Sequence, residues 1–178
     1  MLRPLLWIVL FLAPLFGQGP VVLLSLDGQA VDYFSARTMP QVWRLAQQAQ
    51  RGRGLPPFPS TTFNGHATLA TGCWPEHHGI VSNGFVDPQL GDVPYSAKAD
   101  LLQREPLWVA ATRSGVKTAV FNWPCGDKAW QDVRPVMLKP YGGRQADRDA
   151  LAFVDQALEA GAALVMAYLP AIDSEGHH

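Results

Sequence analysis

The sequence predicts an α/β fold, a mostly parallel sheet with helices on both faces, and three observations carry that prediction. Uninterrupted apolar runs of strand length recur along the chain, as in strands covered on both faces. Between them lie segments of helical spacing, opened by Thr, Pro or Asp and closed by Gly. The two kinds alternate, which is the pattern of parallel strands joined by crossover helices.

The elements follow in order. "VVLLSLDG", from Val21 to Gly28, reads as a buried parallel strand closed by an Asp-Gly turn. "TMPQVWRLAQQAQRG" reads as a helix with Thr38 as N-cap and Pro40 in the first turn. Val42, Leu45, Ala46 and Ala49 mark its face, and Gly52 stops it. Residues 51–59 form a Gly/Pro-rich loop, and a short helix spans 61–71. Residues 84–98 read as an irregular surface excursion. "EPLWVAATRSG" is a helix with Pro106 in its first turn and Gly115 past its end. It leads into the strand "VKTAVFNWP". "DRDALAFVDQALEAG" is a helix from Asp147 with Gly161 beyond it, and "AALVMAYLP" is a last apolar strand. No repeat, low-complexity tract or interdomain linker interrupts the series.

A chain of 178 residues with 48% apolar composition has the size and material of one domain. Its formal net charge of -1, without any block of like charge, gives no electrostatic reason to expect nucleic acid or an anionic membrane as partner. The opening "MLRPLLWIVLFLAPLFGQGP" combines Arg3, a continuous apolar run from Leu5 to Phe16 and small residues after it. Residues 1–19 therefore read as a secretory signal peptide, since the apolar run is shorter than the roughly 20 residues of a membrane span and contains Pro14. Export to a periplasmic or extracellular location follows, with an uncleaved anchor as the alternative. Residues 20–178 are the remaining domain. Cys73 and Cys125 are the only cysteines; an exported protein can pair them, and two free thiols are the alternative.

In open α/β sheets, ligands bind beyond the carboxyl ends of the strands. Asp27 follows the first strand, and Asp173 and His177 follow the last in "YLPAIDSEGHH". The hydroxyls of Ser60, Thr61 and Thr62 gather where a loop becomes a helix. Together these are two carboxylates, an imidazole and a hydroxyl, a donor set suited to zinc. Each has a structural alternative: Asp27 as a turn former, Asp173 as a helix cap, His177 as a surface residue. A hydroxyl at a helix N-terminus sits where amides and the dipole favour an anion, and a bound metal further favours its alkoxide. Spacing does not choose among the three hydroxyls.

"LLSLDG", "PPFPSTTFNGHATLATGCWPEHHGIVSNGF" and "YLPAIDSEGHH" together resemble the nucleotide pyrophosphatase/phosphodiesterase family of the alkaline phosphatase superfamily, from about Val21 to the last residue. The resemblance implies an alkaline phosphatase-like fold and a nucleophilic threonine directly before Phe, here Thr62. The family block Thr-Phe-Pro-Asn-His reads Thr-Phe-Asn-Gly-His, with Asn64 for the proline and Gly65 for the asparagine, a change that bears on loop stiffness. Asn83 matches the family's oxyanion-stabilising asparagine. Two zinc ions are implied, Asp27 and Thr62 matching ligands of one, Asp173 and His177 ligands of the other. The family's remaining ligands come later in the chain than His178, so the sequence is expected to be the N-terminal portion of a longer enzyme, its fold incomplete at the C-terminus.

The implied chemistry is a two-step in-line displacement at phosphorus, through a phosphothreonine ester, on a small-molecule phosphate ester or nucleotide. Phe63 and Tyr141 resemble the family's aromatic pair for the nucleobase. Three rivals remain. A phosphonate hydrolase shares fold, zinc pair and threonine. A sulfatase would use Cys73 in "CWPEH", which has His77 where sulfatases carry arginine. A truncated domain would bind phosphate esters without turnover. His66 and His78 are expected to be hydrogen-bonded supports of the loops.

Overall fold

The computed structural model describes residues 19–96, 98–142 and 147–177. The signal segment read at 1–19 therefore lies outside the described residues except for Gly19, as does His178. In chain order the elements are β1 (Val21–Leu26), α1 (Pro40–Ala46), α2 (Thr62–Thr71), α3 (Pro75–His78), β2 (Phe85–Asp87) and β3 (Gly91–Val93). They continue with α4 (Leu107–Arg113), β4 (Thr118–Phe121), β5 (Met137–Lys139), α5 (Asp147–Glu159), β6 (Leu164–Leu169) and α6 (Ala171–Gly176).

The main sheet has the order β1-β6-β4-β5 with every neighbouring pair parallel. Its register sets Val21 opposite Leu164 and Leu26 opposite Leu169. Side chains alternate between the two faces of a strand, and here both faces are covered. Val120, Met166 and Tyr168 pack with Phe63, Ala67, Trp108 and Val109 of α2 and α4. Ala119, Phe121, Val165 and Ala167 pack with Ala150, Val154 and Ala157 of α5. All six residues of β6 are buried, which explains why its sequence is apolar without alternation. Because the strands run one way, Asp27, Asn122, Tyr141 and Pro170 all follow strand ends on the same rim.

Four expectations are corrected. β1 is parallel to β6 but stands at the edge of the described sheet, and Val22 and Leu24 remain exposed rather than buried. Thr38 does not cap α1: Met39 holds that position, and the Thr38 hydroxyl donates to the Tyr33 carbonyl and meets Ser35 Oγ. α1 ends at Ala46, before Gly52, and its Val42 and Leu45 face solvent. The excursion at 84–98 contains the antiparallel hairpin of β2 and β3, turned by Asp87, whose Oδ1 accepts the N–H groups of Gln89 and Leu90. Cys73 and Cys125 are both free, and burial pushes the Cys125 thiol up to about 12.

Candidate active site

The strand ends and the start of α2 enclose a cavity of about 660 Å³ lined by Asp27, Thr62, Asn83, Asp173 and His177, with Ser60 and Thr61 at its wall. Four sequence elements far apart in the chain thus meet in one place. Thr61 takes the N-cap of α2 in extended backbone, and Thr62 is the first helical residue. That position turns the Thr62 hydroxyl out of the helix toward the rim, where it donates to Asp27 Oδ2 at 3.1 Å. Ser60 and Thr61 make no such bond to Asp27; the Thr61 hydroxyl donates instead to Asn64 Oδ1 at 2.9 Å.

Asp27 accepts on both oxygens. Oδ1 takes the Gly28 N–H at 3.1 Å, and Oδ2 takes the Tyr168 hydroxyl at 2.8 Å besides Thr62. Burial, and then the neighbouring Asp27, push the Tyr168 phenol well above its ordinary pKa, so it stays a donor. Asp173 lies in the first turn of α6 rather than at its cap, and His177 follows one turn later with Nε2 3.5 Å from Asp173 Oδ1. His177 is largely exposed, so the pair faces open space on the cavity side.

Asn83 Oδ1 accepts the Phe63 N–H at 2.8 Å. An N–H must meet the amide oxygen, so the Asn83 NH₂ is left to donate elsewhere. The Thr62 carbonyl is held at 2.7 Å by His66 Nδ1, which must therefore carry the proton; Nε2 then accepts from Ser25 Oγ at 2.8 Å. Burial holds His66 below the ordinary histidine value, against opposing pulls from the Thr62 carbonyl and Asp27.

Asn64, which stands where the family block has proline, is fully buried. Its Oδ1 accepts from the Thr61 N–H and hydroxyl, while Nδ2 donates to the carbonyls of Pro59 at 2.5 Å and Val81 at 3.4 Å. The asparagine thereby ties down the loop that a proline would stiffen.

Phe63 has no exposed surface. Tyr95 lies over it at 4.6 Å between centroids, and Tyr141 meets it edge-on at 5.5 Å and 88°. Burial, and then the nearby Tyr95, push the Tyr141 phenol well above its ordinary pKa. Cys73 is not among the residues lining the cavity; its thiol donates to the Thr71 carbonyl.

The donor chemistry fits zinc in two pairs, Asp27 with Thr62 and Asp173 with His177, which share the cavity. Among the described residues no three His, Cys, Asp or Glu side chains group as a ready metal site, and each pair alone falls short of the about three protein ligands zinc usually takes.

Sequence reasoning missed Tyr168, Ser25 and Tyr95. Tyr168 had a signal: an aromatic with a polar handle near the carboxyl end of an apolar strand. Ser25 and Tyr95 had none that period or spacing reveals.

Residues 21–178 match the profile of a family described as type I phosphodiesterase / nucleotide pyrophosphatase. An uncharacterized pyrophosphatase/phosphodiesterase of Schizosaccharomyces pombe is 34% identical over 172 residues, covering 90% of this chain and 36% of that protein. The structure of murine ectonucleotide pyrophosphatase/phosphodiesterase 5 superposes with a TM-score of 0.79 at 25% identity, covering 89% of this chain and 45% of that one. An inactive threonine-to-alanine variant of the same murine protein, in complex with AMP, superposes at 0.77. Phosphonoacetate hydrolase from Sinorhizobium meliloti superposes at 0.63 with 19% identity, over 85% of this chain and 46% of that one, a likeness of fold alone. The chain spans less than half the length of each of these proteins. The alkaline phosphatase-like sheet flanked by helices is thereby the fold of this chain, and it corresponds to part of the larger neighbours.

Proposed function

Because the chain belongs to the type I phosphodiesterase/nucleotide pyrophosphatase family, we propose that the complete protein hydrolyses phosphodiester or nucleotide pyrophosphate bonds through a covalent intermediate on Thr62. The observation that carries this reading is the Thr62 hydroxyl, set at the start of α2 and hydrogen-bonded to Asp27 in the cavity that also holds Asn83, Asp173 and His177.

The residues divide the work. Asp27 takes the Thr62 proton in its hydrogen bond, which leaves the oxygen lone pairs directed at the cavity. Thr62 Oγ attacks phosphorus in line; one ester oxygen departs with the proton that Asp27 took from Thr62, and the rest of the ester stays on phosphorus bonded to Thr62. Water then cleaves that Oγ–P bond, restoring the hydroxyl and releasing the phosphate monoester. The Asn83 NH₂, freed by the Phe63 contact of its oxygen, donates to a non-bridging phosphoryl oxygen as charge builds there. The amides at the start of α2 favour the same anion. Two zinc ions are the proposed cofactors, held by Asp27 with Thr62 and by Asp173 with His177; when bound, they supply Lewis-acid charge for the hydroxyl and the phosphoryl oxygens. Phe63 and Tyr141 are proposed to mark the side of the site toward which the organic group of the ester lies. The inactive threonine variant of the murine neighbour and its AMP complex support both the nucleophile and the substrate class.

The apolar segment at residues 1–19 supports export, with residues 20–178 as the N-terminal part of the catalytic domain. No helix among the described residues is long and apolar enough to cross a membrane.

The test is Thr62→Ala in the complete protein. Release of p-nitrophenol from the p-nitrophenyl ester of AMP should fall by at least about 10³-fold, with zinc retained. Acid-quenched wild-type enzyme should carry AMP esterified through its phosphorus to Thr62. Near-normal turnover by the variant would remove Thr62 from its role. A wild type that binds AMP without cleaving esters would put binding without catalysis in place of hydrolysis.

A further inference from the structure

Three features bear on which esters the site accepts. The first is that Phe63, the residue after the proposed nucleophile, offers no surface to a ligand although Thr62 before it and Asn83, which accepts its N–H, both line the cavity. The second is what covers it. The Tyr95 ring lies 4.6 Å from Phe63 at an interplanar angle of 56°, while Tyr95 itself is 68% exposed. The third is that Tyr141 stands perpendicular to Phe63 at 5.5 Å and 5.9 Å from Tyr168. A flat base held between two rings needs them roughly parallel and about 7 Å apart, twice the contact distance of carbon atoms. Between Phe63 and Tyr141 there is no such gap.

We propose that Tyr95 is a specificity-determining residue that fills the face of Phe63, so that the site prefers phosphodiesters whose organic group is narrower than a nucleobase. This rests on the reading of Thr62 and its neighbours as the catalytic centre. The ring arrives from the connection after β3, where the N–H of the next residue, Ser96, donates to the Asn83 carbonyl at 3.2 Å. The mostly exposed Tyr95 ring leans on Phe63 at that tilt. A nucleobase entering the site must either displace that ring or stack on its outer side, where Phe63 is out of reach. A methyl, glyceryl or short alkyl ester meets neither demand.

The experiment has two readouts in the complete protein. One is AMP affinity by calorimetry, with inorganic phosphate as reference. The other is the ratio of kcat/KM for the p-nitrophenyl ester of AMP to that for p-nitrophenyl methyl phosphate, which share a leaving group. Tyr95→Ala should tighten AMP by about tenfold relative to phosphate and raise the ratio similarly, the size expected of one stacked base. Tyr95→Phe, which keeps the ring, should stay within about twofold of wild type. An alanine variant that binds AMP unchanged or more weakly overturns the proposal, the weaker outcome making Tyr95 a wall of the base site instead. Should neither ester be cleaved, the catalytic reading fails, and AMP affinity alone still decides the role of Tyr95.

Discussion

Gly28 and Asp173 touch where a side chain on residue 28 would not fit. A Cβ on Gly28 would lie 2.6 Å from Asp173 Cα and 2.9 Å from both its Cβ and its N, closer than side-chain carbons approach backbone. Gly28 also has φ +66°, the left-handed region that glycine occupies without strain. The turn after β1 and the start of α6 are therefore in contact through a missing side chain. That contact sets Asp27 and Asp173 on one cavity.

Gly28→Ala should break this arrangement locally. The left-handed backbone and the overlap together are expected to cost about 1–3 kcal/mol of stability. The larger effect should be on activity, since displacing α6 moves Asp173 and His177 relative to Asp27 and Thr62. A shift of roughly 1 Å is enough to lower turnover about 10²-fold. Phosphodiester hydrolysis and zinc content, measured together on the complete protein, check this: both should drop. Full activity with full zinc would mean the two turns are free to separate.

Asn64→Ala should destabilise the protein and slow it. The change removes the acceptor for the Thr61 N–H and hydroxyl and the donor to Pro59 and Val81. Losing a cap partner and orphaning buried groups is worth about 2–4 kcal/mol. Urea unfolding measures the first effect. The second appears in kcat, because Thr62 sits between the two ends of this network and Asn83 lies two residues past Val81. A variant with unchanged unfolding midpoint would show that the loop needs no tie at this position.

The rim was legible in the sequence because strand ends and helix starts announce themselves. The turn at Asp27-Gly28, the helix at Thr62 and the apolar run before Asp173 each had a local pattern, and parallel topology placed them on one side. The sheet order, with β6 between β1 and β4, had no local signature. Nor did the partner of Asp27: Tyr168 lies 141 residues away, and only the register of β1 with β6 brings it alongside. Apolar spacing found a helix at α1 but overran its end at Ala46 and predicted a packed face, and Val42 and Leu45 instead point outward among the described residues. Periodicity reports the conformation of a segment and not what covers it. Asn64 shows the converse. Read as a departure from a stiffening proline, it turned out to restore the restraint with four hydrogen bonds to groups that no spacing connects.

Acid should weaken the fold through His78. Its ring has no exposed surface, and Ile80 N–H donates to Nδ1 at 3.1 Å, so the proton resides on Nε2, facing Thr68 Oγ1 at 2.9 Å. Burial lowers its pKa below the ordinary 6.5, with its own backbone and Glu76 pulling weakly the other way. The unfolded chain thus takes up the proton at higher pH than the folded one. Stability is fully present above about pH 6.5 and falls as the pH drops toward the lowered native value, by up to about 1.4 kcal/mol per unit for this one proton. Urea midpoints between about pH 8 and pH 5.5 should decline in wild type. In His78→Gln the decline should be shallower but not absent, since buried His66 is shifted in the same direction. An equal slope in both proteins would assign the acid sensitivity to groups other than His78.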